Sequence, residues 1–145
     1  MGSFDGTSGI DRRGCAGFTL VELLVALAVV AVVAALAYPM YSDQMKKGRR
    51  AAAQAFLVEV ASRQQQYLID ARNYAVGAGA IAALSLTVPP EVAQFYTVNV
   101  EPEVVTNPPT YRLVAAPVEG SDQASDGSIT LDQEGSRTRG GVAGW

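Results

Sequence analysis

The stretch from Leu23 to Ser42 contains no charged side chain, and it constrains the chain more than any other feature. Taken from Phe18 to Tyr41, the apolar run carries one charge, Glu22. A membrane-spanning helix needs about 20 predominantly apolar residues. In a bilayer only a helix satisfies its own backbone within a single segment. The run is rich in Ala, Val and Leu, and its many valines would lower helix propensity in water. Over the 145 residues, 49% are apolar and 17% charged. Most of the apolar surplus lies in this run, and downstream of Ser42 the composition is that of an ordinary domain.

Two simpler readings of the run are a cleaved signal peptide and a plain anchor. A signal peptide has an apolar core of roughly 7–15 residues and a small-residue cleavage site. The run is longer than that, although Ala35-Leu36-Ala37 inside it is Ala-x-Ala-like. A lipoprotein anchor fits less well, because Cys15 precedes the apolar segment instead of following it. Two residues do not suit a plain anchor. Glu22 puts a carboxylate in the span at a cost of about 2.5–3.5 kcal/mol or more, unless it lies close enough to the interface to reach water. Pro39 removes a backbone donor and disfavours helix geometry before it, so a kink is expected near Leu36–Tyr38.

The string Arg12-Arg13-Gly14-Cys15-Ala16-Gly17-Phe18-Thr19-Leu20-Val21-Glu22-Leu23 resembles the signal sequence of type IV pilins and pseudopilins. The resemblance implies a leader, 1–17, cut after Gly17 by a prepilin peptidase. Phe18 becomes the new, N-methylated N-terminus. Glu22 then stands fifth, and a proline at Pro39 also fits the family. The physical logic agrees: cleavage creates a cationic α-amine, and pairing it with Glu22 of a staggered neighbour offsets part of the cost of burying either charge. Glu22 is therefore expected to set assembly register. One count opposes this topology. Arg12 and Arg13 precede the span, whereas Lys46, Lys47, Arg49 and Arg50 follow it, and the positive-inside bias would place the head in the cytoplasm. The motif is preferred over the count because an enzyme reads it. Cys15-Ala16, between the arginines and Gly17, departs from the family pattern.

Residues 18–41 are thus expected to form the transmembrane and filament-core helix, and 42–145 the head. After Pro39 the helix resumes to about Ala71. Phe56, Val60 and Tyr67, with Ala52 and Ala71 beside them, form an apolar stripe that should pack on a sheet. Arg63 interrupts the stripe and can lay its stem along it. Val76 to Glu91 reads as a loop with one helical turn within Ile81–Leu86. Strands are expected at Tyr96–Val100, Tyr111–Ala115 and Ser128–Leu131, with turns at Asn107-Pro108-Pro109 and Gly120–Gly127. The fold class is α+β: a long N-terminal helix on a three- or four-stranded antiparallel sheet. Gly135–Gly144 reads as a mobile glycine-rich tail anchored by Trp145.

Tyr67–Tyr74, Tyr111-Arg112-Leu113 and Ile129-Thr130-Leu131-Asp132 narrow the resemblance to minor pilins of the PilE type. Many such proteins close a C-terminal loop with a disulfide, typically worth about 2–4 kcal/mol. Here Asp126 and Gly144 stand where those cysteines would be. Either other contacts hold the loop or it is flexible.

The resemblance implies a structural minor pilin of a type IV pilus, with twitching motility, adhesion and DNA uptake as the family's roles. The implied partners are prepilin peptidase, other pilin subunits, the inner-membrane assembly platform and, before assembly, membrane lipid. The implied location is the inner membrane, as a single-pass protein with a periplasmic head, and then the extracellular pilus. Ala26, Ala28, Ala31, Ala34 and Ala35 would allow close helix approach, or are simply membrane composition. A pseudopilin of a type II secretion system is the first alternative, although the only close acid pair in a loop, Asp122 and Asp126, does not make a calcium site. A membrane-anchored surface- or DNA-binding module is the second, resting on Arg137 and Arg139. With no histidine, one cysteine and a net charge of −3, an enzyme, a metal site and a cofactor are not expected.

Overall fold

The structure is a computed structural model that describes residues 17–103 and 109–145. The leader residues Arg12, Arg13 and Cys15, and the expected turn at Asn107-Pro108, lie outside the described residues. Two compact units divide the chain at Pro39/Met40.

In the first unit the apolar run is helical from Leu20 onward, and its large apolar side chains are all exposed. This is the one described helix long and apolar enough to cross a membrane. Helix α1 is assigned continuously from Leu20 to Ala71, with Pro39 inside it.

In the second unit α1 ends at Ala71, where Arg72 turns into the left-handed region (φ 54°). Two short helices follow, α2 (Ala80–Ala83) and α3 (Pro90–Ala93). They occupy part of the segment read as a loop, and α2 coincides with the expected turn. Proline at the first position of α3 suits it, since its missing donor would be unpaired there anyway. Five strands then form an antiparallel meander: β1 (Tyr96–Glu103), β2 (Thr110–Pro117), β3 (Ile129–Asp132), β4 (Arg137–Arg139) and β5 (Val142–Ala143).

The three expected strands are present, each longer or shifted by a residue or two. The expectation of a mobile tail is corrected. Residues 135–144 supply β4 and β5, because Gly140 and Gly141, both at positive φ, turn one strand back on the other. Their strand residues are few and mostly polar, so the alternation signal is too short to register.

Register places Tyr96, Val98 and Val100 of β1 on the same face as Tyr111, Leu113 and Ala115 of β2, and Ile129 and Leu131 of β3. That face packs with Ala53, Phe56, Leu57 and Val60 of α1 into one core. The buried helix stripe is therefore rotated from the expected one. Ala53, Leu57 and Gln64 are inside, Tyr67 and Ala52 are half-buried, and Ala71 and Arg63 are exposed. Arg63 bonds Gln66 at 3.2 Å instead of lying in the stripe. Leu57 wins a core place by apolar area, and Gln64 by its hydrogen bonds.

Candidate functional site

The sequence points to the start of α1. Gly17 is exposed and non-helical, Phe18 is 75% exposed, and Glu22 is exposed in the first helical turn. Thr19 immediately precedes the helix. Its hydroxyl accepts a hydrogen bond from the Glu22 backbone N–H at 3.2 Å, and its carbonyl accepts one from Leu23 N–H at 3.2 Å. Thr19-Leu20-Val21-Glu22 is thus a Thr-x-x-Glu helix start, with a threonine cap on an otherwise unpaired donor. A carboxylate here also complements the positive end of the helix dipole. The reading of Glu22 as a register residue misses this local role, although the spacing alone carries it. Gly17, Phe18 and Glu22 adjoin one another, whereas Pro39 lies well along α1.

A second constellation lies in the head, around Asp126, which the sequence offers only as one of a close acid pair in a loop. Asp126 ends a 3-10 turn, Ala124–Asp126, and only 8% of its side chain is exposed. It accepts a fork from Arg50 of α1: Nε donates to Oδ2 at 2.6 Å, and Nη2 donates to Oδ1. Tyr96 Oη donates to Oδ2 at 3.0 Å, and Gln123 Nε2 donates to the same oxygen at 3.2 Å. Arg139 Nη1 of β4 stands 3.9 Å from Oδ1. Bidentate guanidinium–carboxylate pairing is the strong, geometrically specific form of ion pair.

Burial alone would push the Asp126 carboxyl up. The hydrogen bonds from Arg50, Tyr96 and Gln123, with the Arg50 charge, outweigh it and hold the carboxyl below the ordinary aspartate value. The bond to Asp126 in turn raises Arg50. Burial, then the bond to Asp126, lifts the Tyr96 phenol to about 12. Asp126 is therefore a buried, bonded acid and not a solvated one.

Next to it, Gln123 Nε2 also reaches the Lys46 carbonyl at 3.1 Å. Arg49 stacks over Phe95 at 3.8 Å and stands 3.7 Å from Asp122. The basic cluster after the span is thus largely a docking surface for the loop of Asp122 and Asp126. Arg137 and Arg139 lie on an ordered strand. Arg137 covers the Trp145 ring at 4.6 Å, and Trp145 Nε1 donates to the Thr130 carbonyl at 3.0 Å. At the expected cysteine positions, the Asp126 carboxylate and a Gly144 N–H donating to the Arg137 carbonyl at 2.7 Å hold the C-terminal segment.

An open groove of about 500 Å³ between α1 and α3 has an apolar floor of Met45, Ala52 and Phe95. No group of His, Cys, Asp and Glu able to hold a metal occurs among the described residues.

A family model described as "Type IV minor pilin ComP, DNA uptake sequence receptor" matches residues 39–130. This chain belongs to the ComP type IV minor pilin family. A second model, the prokaryotic N-terminal methylation motif, matches 12–38. The two together cover the ComP-family chain from its leader to β3. It is also similar to the type IV wide pilus major component PilA4 of Thermus thermophilus, 31% identical over 87 residues. That match covers 60% of this chain and 66% of the relative, just under two thirds of its length. The α+β architecture of long apolar helix and antiparallel sheet is the pilin-like fold that the family membership leads one to expect.

Proposed function

We propose that this ComP-family chain is a minor subunit of a type IV pilus. A prepilin peptidase cuts it after Gly17 and methylates Phe18. Residues 18–41 hold it in the inner membrane with the head, 42–145, in the periplasm, until an assembly platform moves it into the filament with other pilin subunits. The observation that carries the reading is the pairing of an N-methylation motif with a helix whose apolar side chains from Phe18 to Tyr41 are exposed. Such a surface needs first lipid and then neighbouring helices. Alanines along it favour close approach.

Glu22 is the residue proposed to select the axial stagger by receiving the Phe18 α-amine of a neighbour. Its capped position at the helix start keeps the carboxylate next to the site of cleavage. Pro39, which cannot donate to a carbonyl one turn back, is the proposed weak point of the span.

The DNA-receptor activity in the family's description needs cations available to phosphates. In this head Arg50 is held by Asp126, Arg49 stands against Phe95 and Asp122, and Arg137 stacks on Trp145. Those contacts occupy three arginines of the head, while Lys47, Arg63 and Arg72 are exposed.

The test is the N-terminal peptide mass of the protein from native membranes, with and without the host's prepilin peptidase. A peptide beginning at N-methylated Phe18 only when the peptidase is present is expected. A chain retaining its leader in both strains, or cut near Ala37, would overturn the reading. In the same strains Glu22→Ala is expected to be processed but excluded from sheared filaments, and wild-type incorporation would remove its register role.

A further inference from the structure

Asp126 is bonded by Arg50 from α1, Tyr96 from β1 and Gln123 from its own turn, and Arg139 of β4 stands 3.9 Å from it. The loop that carries it meets α1 at two further points, Asp122 with Arg49 and Gln123 with the Lys46 carbonyl. Behind it the loop touches the C-terminal hairpin directly. Gly140 N–H donates to the Ser128 carbonyl at 2.8 Å, and a Cβ on Gly127 would lie 2.8 Å from the Gly140 Cα.

The dock has an internal weakness. Gln123 is fully buried, yet its Oε1 has no partner. An unpaired buried acceptor opposes the docked state, so the loop's hold depends on its ions. By contrast, β1 and β2 pair over eight positions, β2 and β3 over four, and their inward face fills the apolar core, whereas β4 pairs with β3 over three and adds no side chain to that core.

We infer that Asp126 is the latch of a separable C-terminal unit, and that protonating or neutralising it releases the 121–127 loop and the β4–β5 hairpin while α1 and β1–β3 stay folded. This is independent of the filament reading, since it concerns the head alone.

The charged and titratable groups facing Asp126 are Arg50, Arg139 and Tyr96, with Arg49, Asp122 and Lys46 in the adjoining layer. Arg50 stays cationic and Tyr96 neutral through the acid range, so Asp126 is the member of that bonded trio that changes charge. Its folded value is depressed. The latch is therefore complete above the ordinary aspartate value near 3.8 and opens as pH falls through the lower folded value. Being buried, the pair is weakly screened by salt.

Trp145 is the only tryptophan, and its indole bonds β3 from the end of the hairpin, so its fluorescence reports the latch in the full chain in detergent micelles. In wild type the emission should shift to the red on acidification before the far-UV helix and sheet signal falls, and should not move at neutral pH in about 1 M salt. Asp126→Asn should show the shifted emission already at neutral pH, with amide exchange over 121–127 and 137–144 faster by about tenfold or more and β1–β3 protected. Three results overturn the inference: Asp126→Asn with wild-type emission and exchange, global loss of the head in that variant, or emission and far-UV signals that change together on acidification.

Discussion

At the scale of single residues, the head relies on polar side chains that stand in for backbone. Gln64 is fully buried on α1. Its Nε2 donates to the Ala75 carbonyl at 2.6 Å, and its Oε1 accepts the Ala75 N–H at 2.9 Å. One side chain thereby satisfies both main-chain groups of a residue just past the helix end, where no ladder is available. Gln64→Leu keeps most of the volume but strands that donor and acceptor. We expect it to destabilise the head by about 3 kcal/mol, read as a drop in the denaturation midpoint of the full chain in detergent. An unchanged midpoint would mean that water replaces the amide. In sequence, a glutamine within a helix carries no mark of this role, since its type is simply a good helix former. Propensity ranks a glutamine's backbone preference, whereas its role here is set by Ala75, eleven positions away. The role of Asp126 is hidden for the same reason, because its principal partner Arg50 is distant in sequence. By contrast, the methylation motif around Gly17, Phe18 and Glu22 is legible because its residues are contiguous.

Elements divide along the same line between local and distant causes. The end of helix α1 near Ala71 is legible, since charge depletion marks its first part and good helix formers carry it on after Pro39. The strands β1, β2 and β3 are legible from alternation. β4 and β5 are not, being three and two residues long, and their pairing depends on glycine geometry instead of side-chain pattern. Gly127 belongs to that geometry. It sits at φ 78° and ψ 162°, a region that side chains avoid, with its α-carbon against Gly140. Gly127→Ala should cost about 2–3 kcal/mol and loosen the β3–β4 connection first. Hydrogen exchange should show faster amides at 137–144 than at 96–102 in this variant, and a uniform change would refute the local assignment. The core stripe on α1 keeps Phe56 and Val60 as expected but takes in Ala53, Leu57 and Gln64 beside them. In the fold, Tyr67 is large enough to sit half-buried at the margin, while Leu57 fills the centre.

Across the whole chain, the apolar side chains from Phe18 to Tyr41 contrast with the closed core of the head. Fully exposing so much aliphatic surface to water is unfavourable by roughly 25 cal/mol per Å². The full chain should therefore stay with membranes through high-salt and alkaline carbonate washes and leave only with detergent. A chain beginning near Ser42 should appear in the soluble fraction, and recovery of the full chain in the salt wash would contradict the membrane-spanning assignment.

The strand order of the sheet, β1 to β5 without a crossover, bears on how the head acquires its structure in time. Each strand pairs with the one just made, so loop closures in the meander are short and fast. The Arg50–Asp126 contact spans 76 positions and cannot form until nearly the whole head has emerged. For a chain delivered from its N-terminus, the arginine waits on its helix while the sheet assembles strand by strand. The carboxylate arrives only after β1 and β2, just ahead of β3, so this one ion pair ties the first-made part of the head to the last.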